Sequence, residues 1–76
     1  MVTAYVMVKA NTGEADRLKT AIMEFDGVID AHIVAGDVDI IAKLDVDSTA
    51  DVKAIAADNI QNVEGVEDTQ TYIAMD

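Results

Sequence analysis

The 76-residue sequence contains no cysteine, no proline and no tryptophan, and its aromatic residues are two Tyr and one Phe. Without cysteine, a disulfide and a thiolate metal site are excluded, and a reducing cytoplasm is the natural location. Apolar runs extend over a few residues, far below the roughly 20 that cross a bilayer, and no basic segment precedes an apolar block at the N-terminus. We therefore expect a soluble, cytoplasmic protein without a membrane partner.

Basic residues are also scarce, because five Lys and Arg stand against fifteen Asp and Glu, a net charge of −10. Affinity for nucleic acid comes mainly from Lys and Arg, so we expect no direct nucleic-acid partner. The acidity is typical of a halophilic, archaeal-type protein, since at about 1 M salt the Debye length falls to roughly 3 Å and self-repulsion is screened. An acidic mesophilic protein is the alternative.

Hydrophobic periodicity predicts one domain, residues 1–76, with the element order βαββαβ. The predicted strands span residues 2–9, 28–35, 38–46 and 66–75. The first helix follows an N-cap signal at residues 11–14 and ends before Gly27, and the second follows a capping box at residues 48–51 and ends near Asn62. Both faces of the first strand carry apolar residues, which predicts a central position.

Two right-handed βαβ crossovers joined by a hairpin at Gly36 and Asp37 predict a ferredoxin-like α+β fold, with both helices on one face of a four-stranded antiparallel sheet. The uncovered face is predicted to carry Tyr5, Met7, Val28, Val34, Ile41 and Tyr72, mixed with Asp30, His32, Asp39, Lys43, Asp45 and Gln70. A half-apolar face on so small a protein predicts an interface. We expect at least a dimer packed sheet against sheet, with Tyr5, Met7, His32, Val34, Ile41 and Tyr72 in the contact.

No catalytic constellation is present, since the chain has one histidine, His32, one serine, Ser48, and no cysteine. His32 is either an interface or solvent-facing side chain or a protonatable ligand contact. Pairs of Asp two residues apart could suit Mg²⁺ or Ca²⁺, but fifteen acids produce such pairs by chance and no EF-hand spacing occurs. We therefore expect no catalytic residue, no metal and no cofactor.

Three polar residues are better candidates for a binding role. Asp39 lies beside the predicted turn on a half-buried face, where a carboxylate needs a partner. That partner is a bound ammonium group, Lys43, a neighbouring subunit or the backbone of its own turn. Thr69 and Thr71 share a face of the last strand, and reflect either plain β-propensity or donors that line a polar pocket at a subunit contact.

Three segments carry a resemblance: residues 4–9, residues 27–43 and residues 65–71. Together they resemble the effector-binding domain of the Lrp/AsnC (feast/famine) regulators over essentially the whole chain. Gly36 and Asp39 match the central Gly-x-x-Asp of that family, and Thr69 and Thr71 match its Thr-x-Thr. The sequence departs from the family pattern at Asp26, where proline is usual, and at Val38, where many members have an aromatic residue.

The resemblance implies a dimeric α/β-barrel-like domain that dimerises through its sheet, often assembles further into rings and binds a small effector, usually an amino acid, where dimers meet. By position, the residues implied in the effector site are Gly36, Asp37, Val38, Asp39, Thr69 and Thr71. An amino acid would place its ammonium on Asp39 and its carboxylate on the N–H groups of the Gly36 turn.

Full-length members of that family also carry a helix-turn-helix domain, whereas Met1 here directly precedes the first strand. We therefore expect a non-enzymatic, stand-alone sensing module that co-assembles with DNA-binding relatives. One alternative is a purely structural oligomerisation module without a ligand. Another is a dimeric α/β-barrel enzyme, for which His32, Tyr5 and Tyr72 are the available polar groups.

Overall fold

The computed structural model describes residues 1–11 and 13–76, and its strands form one antiparallel sheet in the order β2-β3-β1-β4. The elements are β1 (Val2–Ala10), α1 (Ala15–Met23), β2 (Val28–Ile33), β3 (Ile40–Val46), α2 (Thr49–Lys53), a π-helical segment (Ala54–Ile60) that continues α2, and β4 (Val66–Ile73). The predicted βαββαβ order and ferredoxin-like topology are confirmed. Within the described residues, no helix is both long and apolar enough to span a membrane.

The core lies between one face of the sheet and the helices. Ala4, Val6 and Val8 of the central strand β1 are fully buried there. Alternate residues of β3 extend this layer, and α1 adds Leu18 and Ile22, which are four residues apart and therefore share a helix face. Successive residues of a strand point to opposite faces, so the intervening side chains of β1 and β3 lie on the face that the helices leave open. We call it the open face.

The two helices begin differently. Ser48 caps α2, because its Oγ accepts a hydrogen bond from the Asp51 N–H at 3.2 Å, as the capping-box pattern predicted. Glu14 is the N-cap of α1, and its side chain makes no capping bond. Thr12, part of the predicted cap segment, lies outside the described residues.

The second helix ends at Ile60, close to the predicted end near Asn62, but its second half is wider than an α-helix. Residues 54–60 form a π-helix, at the end of which the Gln61 N–H donates to the Ala56 carbonyl, five residues back, at 3.2 Å. Ile55, Ala56 and Ile60 are nevertheless all buried. Spacings of four and five residues fit both a 3.6-residue and a wider turn, so the apolar pattern cannot distinguish the two helix types.

The strand β2 departs from strict alternation. Its register with β3 shifts between Val28 and Asp30, which makes Ile29 an extra residue. Val28 consequently lies on the helix-covered face, opposite Leu44, with 9% of its surface exposed. The prediction that Val28 lies on the open face is therefore wrong.

Gly27, between α1 and β2, occupies a position that a side chain would disturb in two ways. Its φ of +96° lies in the left-handed region. A Cβ there would also approach Ile55 Cδ1 to 2.6 Å and Val46 Cγ1 to 2.8 Å. Glycine lets the backbone pass close to the π-helical segment at this point.

We predict that Gly27→Ala destabilises the fold more than Gly13→Ala. Gly13 also has a positive φ, +84°, but among the described residues a Cβ there meets nothing within 4 Å. Both variants incur the left-handed strain of about 1–2 kcal/mol, and Gly27→Ala adds overpacking of about 1–3 kcal/mol. Equilibrium urea unfolding measures the difference, and equal losses of stability would contradict the packing argument.

Candidate functional site

The open face places most of the predicted interface residues together. Tyr5 lies opposite Lys43 on one side and Tyr72 on the other, and Met7 lies opposite Ile41. The Lys43 ammonium is 6.0 Å from the centroid of the Tyr5 ring, within reach of a cation–π contact. The centre of the face is thus half-apolar.

At the β2 edge of this face, the side chains of His32 and Asp30 form a hydrogen bond. The distance from His32 Nε2 to Asp30 Oδ2 is 2.9 Å, and both side chains are more than half exposed. The hydrogen bond from His32 lowers the pKa of the Asp30 carboxyl below its ordinary value of 3.8. Val34, the remaining predicted interface residue, lies just beyond the end of β2 and is half-buried.

The connection between β2 and β3 is a six-residue loop, residues 34–39, instead of a tight turn at Gly36 and Asp37. The Val34 N–H donates to the Asp39 carbonyl at 2.8 Å, and the Asp39 N–H donates to the Val8 carbonyl at 2.9 Å. The Asp39 carboxylate accepts a third bond, from the Ala10 N–H at 2.9 Å. Asp39 therefore joins the loop to β1, where the register of β1 with β4 shifts.

A cavity of about 220 Å³ lies between this loop and the open face, and we call it the loop pocket. Lys9 of β1 supplies a positive charge, opposite Asp68 in the strand register. The remaining lining combines carboxylate, amide and apolar groups. The full lining is Met7, Lys9, Asp37, Val38, Asp68, Thr69 and Gln70.

A second cavity, the helix-side groove, lies across β4 from the loop pocket and has a volume of about 300 Å³. Thr69 and Thr71 pair with Val8 and Val6 of β1, which places their side chains on the helix-covered face. The Thr69 hydroxyl accepts a hydrogen bond from Gln61 Nε2 at 2.7 Å. The groove is lined by Thr49, Val52, Lys53, Ala56, Ala57, Gln61, Thr69, Thr71 and Ile73.

The six residues predicted for the effector site are therefore divided between two places. Asp37 and Val38 line the loop pocket, while Thr71 lines the groove and Thr69 borders both. Gly36 and Asp39 belong to the loop without lining either cavity. Sequence reasoning did not assign Met7, Lys9, Asp68 and Gln70 to the pocket. Met7 pairs with Gln70 and Lys9 with Asp68, and this long-range pairing of β1 with β4 is not visible in the sequence.

We predict that Asp39→Ala destabilises the domain by about 1–3 kcal/mol, since the Ala10 N–H loses a charged acceptor in a partly buried position. Asp37→Ala is the matched control, because this neighbouring acid is exposed and should change stability by less than about 0.5 kcal/mol. Urea unfolding and the amide exchange rate of Ala10 measure both effects. Unchanged exchange at Ala10 in Asp39→Ala would refute the anchoring role.

The chain is similar in sequence to curated proteins and in fold to solved structures. The chain is 27% identical over 75 residues to the leucine-responsive regulatory protein of Escherichia coli K12, covering 95% of this chain and 46% of that protein. It thus spans about half the length of the curated relatives it matches.

Two solved structures have the same fold over nearly their whole chains. TTHA0845 of Thermus thermophilus has a TM-score of 0.95 and 28% identity, covering 100% of this chain and 95% of that one. The hypothetical protein PHS023 of Pyrococcus horikoshii has a TM-score of 0.90 and 25% identity, covering 99% and 90%. The family model described as the Lrp/AsnC ligand binding domain matches residues 3–76. The chain therefore belongs to the Lrp/AsnC family, whose ligand-binding domain it represents.

Proposed function

We propose that this domain is a non-enzymatic sensing and assembly module of a transcription regulator. It binds a small zwitterion of the amino-acid class in the loop pocket and associates through its open face. The observation that carries the proposal is the composition of the loop pocket, in which one cation, two carboxylates and apolar side chains converge beside a half-apolar sheet.

The loop pocket has the groups that an amino acid needs. Its α-carboxylate pairs with the Lys9 ammonium, and its α-ammonium pairs with Asp37 and Asp68. Met7 and Val38 then contact the side chain of the ligand. Asp39 contributes by holding the loop against β1, because its carboxylate already accepts the Ala10 N–H.

The family assignment supports the class of ligand. The matched domain is described as ligand binding, and the name of the Escherichia coli relative states that it responds to leucine. Both are consistent with an amino acid as the effector of this chain.

Association of copies explains why the predicted site residues are divided. The loop pocket opens on one face of β4, whereas the groove that contains Thr71 opens on the other. A single ligand reaches both the loop and Thr71 only if the loop of one copy meets the groove of another. We therefore place the effector where copies of the chain meet, in a dimer or a larger ring that can include full-length relatives.

The first test is a thermal-shift screen of the twenty amino acids in low-salt and high-salt buffers. An effector at 100 times its Kd stabilises the domain by roughly 2.7 kcal/mol, which raises Tm by about 10 °C or more for a domain of this size. Lys9→Gln should reduce that shift because the ligand carboxylate loses its partner. Lys19→Gln, an equal charge change on α1 outside the pocket, should preserve it.

The outcomes separate the proposed sensor from a structural module. No shift with any amino acid would contradict amino-acid sensing and favour a module that only assembles. An equal loss of the shift in both lysine variants would contradict the assigned position of the ligand.

The second test addresses the open face. Met7→Asp should convert the dimer to a monomer, because an added carboxylate at the centre of the face would be buried without a partner. Met23→Asp is the matched control, since Met23 is 40% exposed on α1, away from the sheet. Size-exclusion chromatography with light scattering at micromolar concentration measures the mass.

Circular dichroism checks that both methionine variants fold. If Met7→Asp does not fold, Tyr72→Asp at the 56% exposed edge of the same face replaces it. A wild-type protein that is monomeric at micromolar concentration would contradict association through the open face. A Met23→Asp variant that also dissociates would assign the interface to another surface.

A further inference from the structure

The His32–Asp30 pair takes part neither in the proposed ligand binding nor in the apolar contacts proposed for the open face. Both residues lie on β2, and their register partners on β3 are Ile41 and Lys43 respectively. His32 is the sole histidine of the chain, and histidine is the side chain whose charge ordinarily changes between about pH 5 and pH 8.

The charged groups around the pair come from two other elements. On β3, Lys43 lies opposite Asp30, but its ammonium is directed over the Tyr5 ring, and Asp45 follows two residues along the same strand. On α1, Lys19 lowers the pKa of Asp30 slightly, whereas the hydrogen bond from His32 is the main cause of the lowering. Because that pKa is below its ordinary value, Asp30 stays ionised throughout the neutral range.

The Asp30 carboxylate depends more strongly on the charge of His32 when a second copy covers the open face than in the separate chain. In the separate chain the imidazole and the carboxylate are 68% and 53% exposed, so water can solvate the Asp30 charge whether or not His32 is protonated. When a second copy removes that water, Asp30 keeps a hydrogen bond from the Ala31 N–H at 3.0 Å, but with a neutral imidazole its net charge has no counter-charge in the pair. A protonated imidazole at 2.9 Å neutralises it. Each added proton also reduces the repulsion between two chains of net charge −10.

We propose that association through the open face takes up protons at His32, so that the dimer tightens as the pH falls toward 6. The inference rests on the proposed function, because it requires the sheet-to-sheet contact. The sign follows from linkage: the state that binds more protons, here the dimer, is favoured at lower pH and loses that advantage as the pH rises. Uptake of one full proton changes the dimer Kd by up to about tenfold per pH unit.

The test is sedimentation equilibrium near pH 6, pH 7 and pH 8 at constant ionic strength, within the range where histidine titrates. The wild-type Kd should fall by about tenfold or more from the highest pH to the lowest. His32→Asn and Asp30→Asn should each remove most of this dependence. Asp45→Asn, which removes an acid from the neighbouring strand but leaves the pair intact, should retain it.

A calorimetric dilution experiment in two buffers of different ionisation enthalpy counts the protons directly, and applies even where the dimer is too tight for sedimentation. The dissociation heat of the wild type should depend on the buffer, and that of His32→Asn should not. A dimer whose Kd is the same at all three pH values would overturn the proton linkage but leave the proposed function standing. A monomer under all conditions would overturn the proposed association, and the proton linkage with it.

Discussion

Both helices cover the same face of the four-stranded sheet, and the proposed function depends on the face that they leave open. Leu18 of α1 and Val52 of α2 belong to one core cluster, so the two helices lie on the same side of the sheet. The central strand β1 consequently has two different environments: Val6 and Val8 are fully buried, while Tyr5 and Met7 face outward and are half-buried. We propose that copies of this small chain associate through the open face, and the loop pocket lies at the margin of that face.

Much of the fold could be predicted from the sequence, because alternation in β1 and β3 and a capping signal at Ser48 are local properties. The structure differs from the sequence-based expectation where the backbone departs from the regular repeat of a strand or an α-helix. The extra residue at Ile29 inverts the expected orientation of Val28, since one inserted residue reverses which face a side chain occupies. The π-helical turn after Lys53 keeps Ile55 and Ile60 buried, so its apolar pattern remains that of an ordinary helix.

The candidate site could be predicted only in part, for a physical reason. The sequence pointed to the loop between β2 and β3, but the residues around that loop come from β1 and β4, whose pairing depends on long-range register. Asp39 needed a partner, as expected of a half-buried carboxylate, and that partner is the backbone N–H of Ala10, which lies beyond the last residue of β1 that pairs with β3. Register also places Thr71 in the groove on the helix-covered face, so a site that combines Thr71 with the loop needs a second copy.

Ligand binding and association are proposed for the same small domain, so the most direct measurement reports both at once. Native mass spectrometry of the chain isolated from its own cells, under gentle ionisation, records the mass of the assembly and of anything bound to it. We expect dimers or multiples of dimers that retain a small molecule with the mass of an amino acid, and loss of that molecule with Lys9→Gln. A monomer without bound mass would contradict the account.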